Sequence, residues 1–158
     1  MNKVYYFTNP TDDRHRSREV QLRIESETGL KLVNPFYDIA GVASKEIKAL
    51  DRGDFSPISC GEIIHNDLKL VRDCGGVIAF ITNKTSWGSI DEVFYSGFEK
   101  GFPTYLIFDP DTRDPAVCPC HGIKNPNNPS HPWPKGTVTK IFGTVEGFIN
   151  FAKEKLCA

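Results

Sequence analysis

The sequence predicts a single α/β domain built on a five-stranded parallel sheet with helices on both faces. Three observations predict it. Short apolar runs recur along the chain, and the middle one, Val77-Ile78-Ala79-Phe80-Ile81, is continuous and too short for a helix, as in a strand covered on both faces. Segments with helical spacing alternate with these runs, which is the pattern of βαβ units. The length of 158 residues suits one domain and suffices for a substantial core.

Taken in order, Lys3 to Phe7 reads as the first strand, followed by the polar loop Thr8 to Arg16. A helix from Ser17, a fair N-cap, to Thr28 ends at Gly29. Leu30 to Val33 forms the second strand, and Asn34-Pro35-Phe36-Tyr37-Asp38 leaves it as a loop. Helical pattern is weak at Ser44 to Leu50, breaks at Asp51 to Asp54, and is strong from Cys60 to Cys74. The third strand, Val77 to Ile81, leads through a turn into a helix whose apolar positions are Ile90, Val93, Phe94 and Phe98, with Gly101 as its stop. Pro103 to Phe108 and Val138 to Phe142 are strands four and five, and Thr144 to Leu156 closes the chain as an amphipathic helix. Between them, residues 109–135 hold seven of the eleven prolines and no periodic apolar segment; loops of this length in compact domains are usually functional or flexible.

Hydrophobic content of 39%, charged content of 25% and a net charge of -1 give no argument for a nucleic acid polymer or an anionic membrane as partner. The chain carries no apolar run long enough to span a bilayer and no signal-peptide pattern, so a cytoplasmic location is expected. There are five cysteines, an odd number; Cys60, Cys74 and Cys157 read as scattered small apolar residues in a reducing compartment. Cys118, Cys120, His121 and His131 include enough soft ligands for zinc, but the Cys-x-Cys-His spacing is tighter than in common zinc sites, and no metal is expected.

Chemistry concentrates where the third strand meets its helix, in Thr85-Ser86-Trp87-Gly88-Ser89-Ile90-Asp91-Glu92. In open α/β sheets ligands bind beyond the carboxyl ends of the strands, and this turn lies on that rim. Glu92 is expected in the first helical turn, where the dipole favours an ionised, nucleophilic carboxylate. Asp67 breaks the apolar stripe of its own helix, lying four residues from both Ile63 and Val71, and a carboxylate there needs partners or a polar cavity. Two such carboxylates can divide nucleophile and acid/base roles. Tyr5 and Tyr6 point to opposite faces of the first strand, and only the one near its carboxyl end can orient a carboxylate. The loop after that strand offers Thr8, Asn9, Arg14 and Arg16 where phosphates are commonly held, without the glycines of a dinucleotide or nucleoside-triphosphate fingerprint.

These segments together resemble the nucleoside 2-deoxyribosyltransferase superfamily, which includes 2'-deoxynucleoside 5'-monophosphate N-glycosidases. Lys3-Val4-Tyr5-Tyr6-Phe7 is similar to the family's first strand, with its site tyrosine carried to Tyr5. His65-Asn66-Asp67-Leu68-Lys69-Leu70-Val71, followed by Gly76 to Phe80, resembles the helix and strand whose aspartate maps to Asp67. Ser86 to Glu92 resembles the Gly-Thr-x-x-Glu turn, with Gly88, Ser89 in place of threonine, and the catalytic glutamate at Glu92. Gly101-Phe102-Pro103-Thr104-Tyr105 resembles the Gly-Lys-Pro-Val start of the next strand.

The resemblance implies a flavodoxin-like fold and cleavage of a nucleoside N-glycosidic bond through a glycosyl ester on Glu92, oriented by Tyr5, with Asp67 contacting the sugar or moving a proton at the base. Ser86, Gly88, Ser89, Asn9 and Arg14 are the expected substrate contacts. Neither a metal nor an organic cofactor is implied, and the partners are a nucleoside or nucleotide and further copies of the chain. Nucleoside 2-deoxyribosyltransferase is the leading expectation. Ser86, where many transferases carry aspartate, and a C-terminus without a terminal aromatic residue point instead to a 5'-monophosphate hydrolase. A nucleotide-binding module without turnover is the reading from a different class.

Overall fold

The computed structural model describes residues 3–39, 48, 51–52, 60–82, 87–109 and 136–157. Five strands, β1 (Val4–Thr8), β2 (Lys31–Val33), β3 (Val77–Ile81), β4 (Thr104–Phe108) and β5 (Lys140–Phe142), form one sheet in the order β2-β1-β3-β4-β5. Every adjacent pair is parallel. This is the flavodoxin-like α/β fold. The expected helices are present as α1 (Arg14–Thr28), α2 (Cys60–Cys74), α3 (Trp87–Phe94) and α4 (Val145–Lys155). No helix among the described residues is long and apolar enough to cross a membrane.

Strand alternation sorts the side chains into two cores. Tyr5, Phe7, Ile78, Phe80, Tyr105 and Ile107 face one way, onto Ile24 of α1 and Phe148, Ile149 and Ala152 of α4. Tyr6, Val77, Ala79, Leu106 and Phe108 face the other way, onto Val71 of α2 and Val93 of α3. The first core is rich in aromatic rings, with Tyr105, Phe142, Phe148 and Phe151 in mutual edge and tilted contacts 5.2–6.4 Å between centroids.

Local signals end the elements where physics requires. Gly29 caps α1 in the left-handed region at φ 74°, with its N–H donating to the Glu25 carbonyl. The Thr144 hydroxyl accepts from the Gly147 N–H at 3.0 Å and starts α4. The start of α1 differs from expectation: the helix begins at Arg14, and Ser17, wholly buried, lies inside it. A one-turn 3-10 helix, Thr11–Asp13, leads straight into α1 and takes up the polar loop that made Ser17 look like the first cap. The weak helical pattern at 44–50 lies outside the described residues except for position 48, and the proline-rich 110–135 lies wholly outside them.

Beyond α3 the backbone widens into a π-helical turn, Tyr95–Glu99. Gly97 sits in it with no room for a side chain, since a Cβ there would lie 1.9 Å from the Thr137 carbonyl oxygen. Gly97→Ala is therefore expected to lower stability by roughly 2 kcal/mol or more, since the obstacle is backbone rather than a movable side chain. Thermal denaturation against the neutral control Gly88→Ala, where a Cβ would meet nothing within 4 Å, checks this.

Candidate functional site

The strand order reverses between β1 and β3, so their carboxyl ends splay apart and open a crevice, the place where such sheets take ligands. A cavity of about 550 Å³ occupies it. Its floor comes from Tyr6, Thr8 and Asn9 of β1 and its extension, one side from Ile63, Ile64, Asp67 and Leu68 of α2, and another from Gly88, Ser89 and Glu92 of α3. Pro35 and Phe36, just after β2, complete the wall.

Helix α3 meets the sheet through polar side chains. Ser89, Glu92 and Val93 are buried, as is Ser96 in the turn that follows; of the apolar positions expected to face the core Val93 does so, whereas Ile90 and Phe98 are 52% and 63% exposed. Each buried polar group has a partner on the sheet. Thr8 Oγ1 donates to Ser89 Oγ at 2.8 Å, the Tyr6 hydroxyl donates to Glu92 Oε1 at 2.7 Å, and Ser96 and Thr104 share a 2.8 Å hydroxyl pair. Buried polar groups are tolerated on those terms.

Glu92 is 6% exposed and lies past the first turn of α3, which starts at Trp87. The expected help from the helix dipole fades within the first turn. What orients the carboxylate is Tyr6. The tyrosine assigned from the resemblance, Tyr5, lies on the opposite face, edge-on to Tyr105 at 6.0 Å, and burial pushes its phenol up to about 12. The reason is the period of two along a strand: neighbours cannot share a face. Tyr6 and Thr8 share one, and the polar Thr8 at the strand's carboxyl end was the signal in the sequence.

Asp67 lines the same cavity, and its helix explains why a carboxyl interrupts an apolar stripe. The C-terminal half of α2 packs Leu70, Val71 and Cys74 on the sheet, whereas Ile63, Ile64 and Leu68 border the cavity with Asp67. Burial, opposed by a 3.1 Å hydrogen bond from Asn66 Nδ2, pushes its carboxyl up to about 6. One well-oriented carboxylate and one carboxyl able to exchange a proton near neutral pH therefore border one space.

Of the other expected contacts, Asn9, Gly88 and Ser89 line the cavity and Ser86 lies outside the described residues. Arg14 does not line it: its guanidinium pairs with Asp51 at 2.9 Å and donates to the Thr11 carbonyl at 3.3 Å. Arg16 is likewise engaged, 2.7 Å from Oδ1 of the buried Asp109 at the end of β4. The four cysteine and histidine positions weighed for zinc lie outside the described residues, and no cluster suited to a metal occurs among the described ones. Sequence reasoning missed Tyr6 as the orienting residue and Phe36 as a wall of the cavity.

No family model and no curated protein matches the chain. Among solved structures it is similar to a crystal structure of a conserved protein from Enterococcus faecalis V583, with a TM-score of 0.67 and 15% identity over 98% of this chain and 99% of that one. At that identity the likeness concerns the fold.

Two outcomes are expected. Tyr6→Phe removes the phenol that donates to the buried Glu92 and should cost about 1–3 kcal/mol in denaturant unfolding. Asp67→Asn has a pH signature. The native carboxyl keeps its proton to about pH 6, whereas the unfolded one loses it near the ordinary 3.8. Native Asp67 is thus penalised increasingly as pH rises between those values and constantly above them. The asparagine variant should be more stable than wild type by on the order of 1 kcal/mol at pH 7.5, since solvent reaching the cavity screens part of the penalty, and no more stable below pH 4. Melting temperatures across that range check the sign.

Proposed function

We propose that this protein breaks the N-glycosidic bond of 2'-deoxynucleosides and passes the sugar to a second base, as the resemblance to the nucleoside 2-deoxyribosyltransferase superfamily implies. The observation that carries the reading is the buried Tyr6–Glu92 hydrogen bond at the floor of a cavity that Asp67 also lines.

In this mechanism a Glu92 carboxylate oxygen attacks C1' of the sugar while the bond from C1' to the base nitrogen breaks, its electron pair leaving with the base. Protonated Asp67 supplies the proton that the departing base needs. The glycosyl ester on Glu92 is then opened by a nitrogen of the incoming base, whose proton returns to Asp67. Water in place of that base would give hydrolysis. Tyr6 holds Glu92 in the attacking rotamer.

The cavity's charge favours a nucleoside over a 5'-monophosphate. Among the described residues that line it, Asp12, Asp67, Asp91, Glu92 and Glu99 are acidic and none is lysine, arginine or histidine. Arg14, the expected phosphate contact, is held by Asp51. A dianionic phosphate would meet repulsion there.

Incubating the protein with deoxynucleosides and with their 5'-monophosphates, each with and without a second free base, tests the proposal. New nucleoside is expected only when both a deoxynucleoside and a second base are present. Clean release of base and deoxyribose 5-phosphate, without exchange, would replace it with the hydrolase reading, and binding without base release would replace it with the non-catalytic one. Glu92→Gln should fold and retain less than about a tenth of wild-type kcat. Wild-type kcat/KM should fall as pH rises through about 6, the value that burial gives Asp67, because the acid form is the donor, and Asp67→Asn should lack that limb.

A further inference from the structure

The five residues after β2 form a turn held far more tightly than core packing requires. Asn34 is wholly buried and bonded at every polar position named here. Its Oδ1 accepts from the Phe36 N–H at 3.0 Å, its Nδ2 donates to Asn9 Oδ1 at 3.0 Å, and its N–H donates to Asp38 Oδ2 at 2.9 Å. Its carbonyl accepts from the N–H groups of Tyr37 and Asp38 at 3.1 and 2.9 Å. Asp38 is in turn clamped to α1, by Arg18 Nη1 at 2.8 and 2.9 Å and by Gln21 Nε2 at 2.8 Å. The Arg18 guanidinium also lies 5.1 Å over the Tyr37 ring.

The residue this network fixes is Phe36. Its ring is half-buried, belongs to neither core and lines the cavity. Asn9, the network's other end, lines the same cavity. Hydrogen bonds that rigidify a turn without serving a core serve what the turn presents, and here that is an aromatic side chain lining the cavity that Tyr6 and Glu92 also line.

We infer that Phe36 is a specificity residue that stacks on the nucleobase, and that Asn34 is its positioning residue, acting through the Phe36 backbone and Asn9. The inference rests on the N-glycosidic reading above and adds the subsite for the base. A turn whose backbone is already fixed loses little entropy on binding, so stacking appears in affinity, and it grows with the area of the base.

The test uses the full-length protein, with calorimetric binding of free adenine and cytosine and steady-state kinetics on 2'-deoxyadenosine and 2'-deoxycytidine. Phe36→Leu keeps apolar bulk and removes the ring face. It should weaken adenine binding and raise KM for deoxyadenosine by about tenfold, and affect cytosine less. Phe36→Tyr should restore both. Asn34→Ala should weaken adenine binding in parallel, and the double variant should be no worse than the weaker single one, since both act through one ring. A protein that exchanges bases while Phe36→Leu keeps wild-type KM and base affinity overturns this inference alone. One that binds adenine in a Phe36-dependent way without turnover supports it and removes the proposed function. A wild-type protein that neither binds a base nor cleaves a nucleoside removes both.

Discussion

The seating of α3 on polar contacts is the constraint from which the site follows. A helix covering a parallel sheet normally buries an apolar stripe, which tolerates small rotations and slides because the attraction has no direction. Here Ser89, Glu92 and Ser96 point inward and meet Thr8, Tyr6 and Thr104 on β1 and β4. Hydrogen bonds in a dry interior are directional and costly to leave unmade, so these pairs fix both the rotation and the axial position of the helix. Val93, packed among Val71, Val77 and Leu106, is the apolar contact that accompanies them. The Glu92 carboxylate thereby gains a fixed location at the edge of the cavity without an external ligand to hold it.

That choice shapes the rest of the crevice. With its polar face inward, α3 leaves Ile90 outward, and the chain then widens into the π turn at Tyr95–Glu99, where Phe98 is exposed as well. The π turn brings Gly97 against the backbone at Thr137 and adds Tyr95 and Glu99 to the cavity wall. Across from it, α2 packs on the sheet only through its C-terminal half. The space its N-terminal half leaves is the cavity, and Asp67 sits at the transition, where a carboxyl escapes complete burial yet is desolvated enough to hold its proton to about pH 6.

The architecture was legible because periodicity reports it. Uninterrupted runs such as Val77 to Ile81 mark strands covered on both sides, and helices α2 and α4 appear with their bounds nearly as read. The orientation of α3 was not legible, since apolar spacing identifies the core face of a helix only when that face is apolar. Asp67 stood out for a related reason: one carboxyl in an otherwise apolar stripe is a local anomaly that spacing can detect. The choice between Tyr5 and Tyr6 needed strand parity together with Thr8: the apolar residues of β1 lie on both faces, and only the polar residue at its carboxyl end marks the face of Tyr6 as that of the site. The Asn34 network was out of reach, because Asn9, Gln21, Asn34 and Asp38 join through space from three separate segments. A turn-forming composition announces a loop, not what the loop is tied to.

A fold shared at 15% identity leaves the chemistry undecided, because flavodoxin-like sheets carry many activities and pure binding functions. What discriminates is where the chain departs from its own local rules. A buried glutamate on a helix, a carboxyl within an apolar stripe and a half-exposed phenylalanine held by a buried amide network are each unfavourable or unnecessary for folding alone. All three border the same cavity, at the switch point between β1 and β3. A binding module accounts for the aromatic wall; the proposed bond cleavage also gives a role to the Asp67 carboxyl, which burial pushes up to about 6, and to the Glu92 carboxylate that Tyr6 holds in the same cavity. Proton transfer needs the first and nucleophilic attack the second, and that shared location is the support for the proposed bond cleavage.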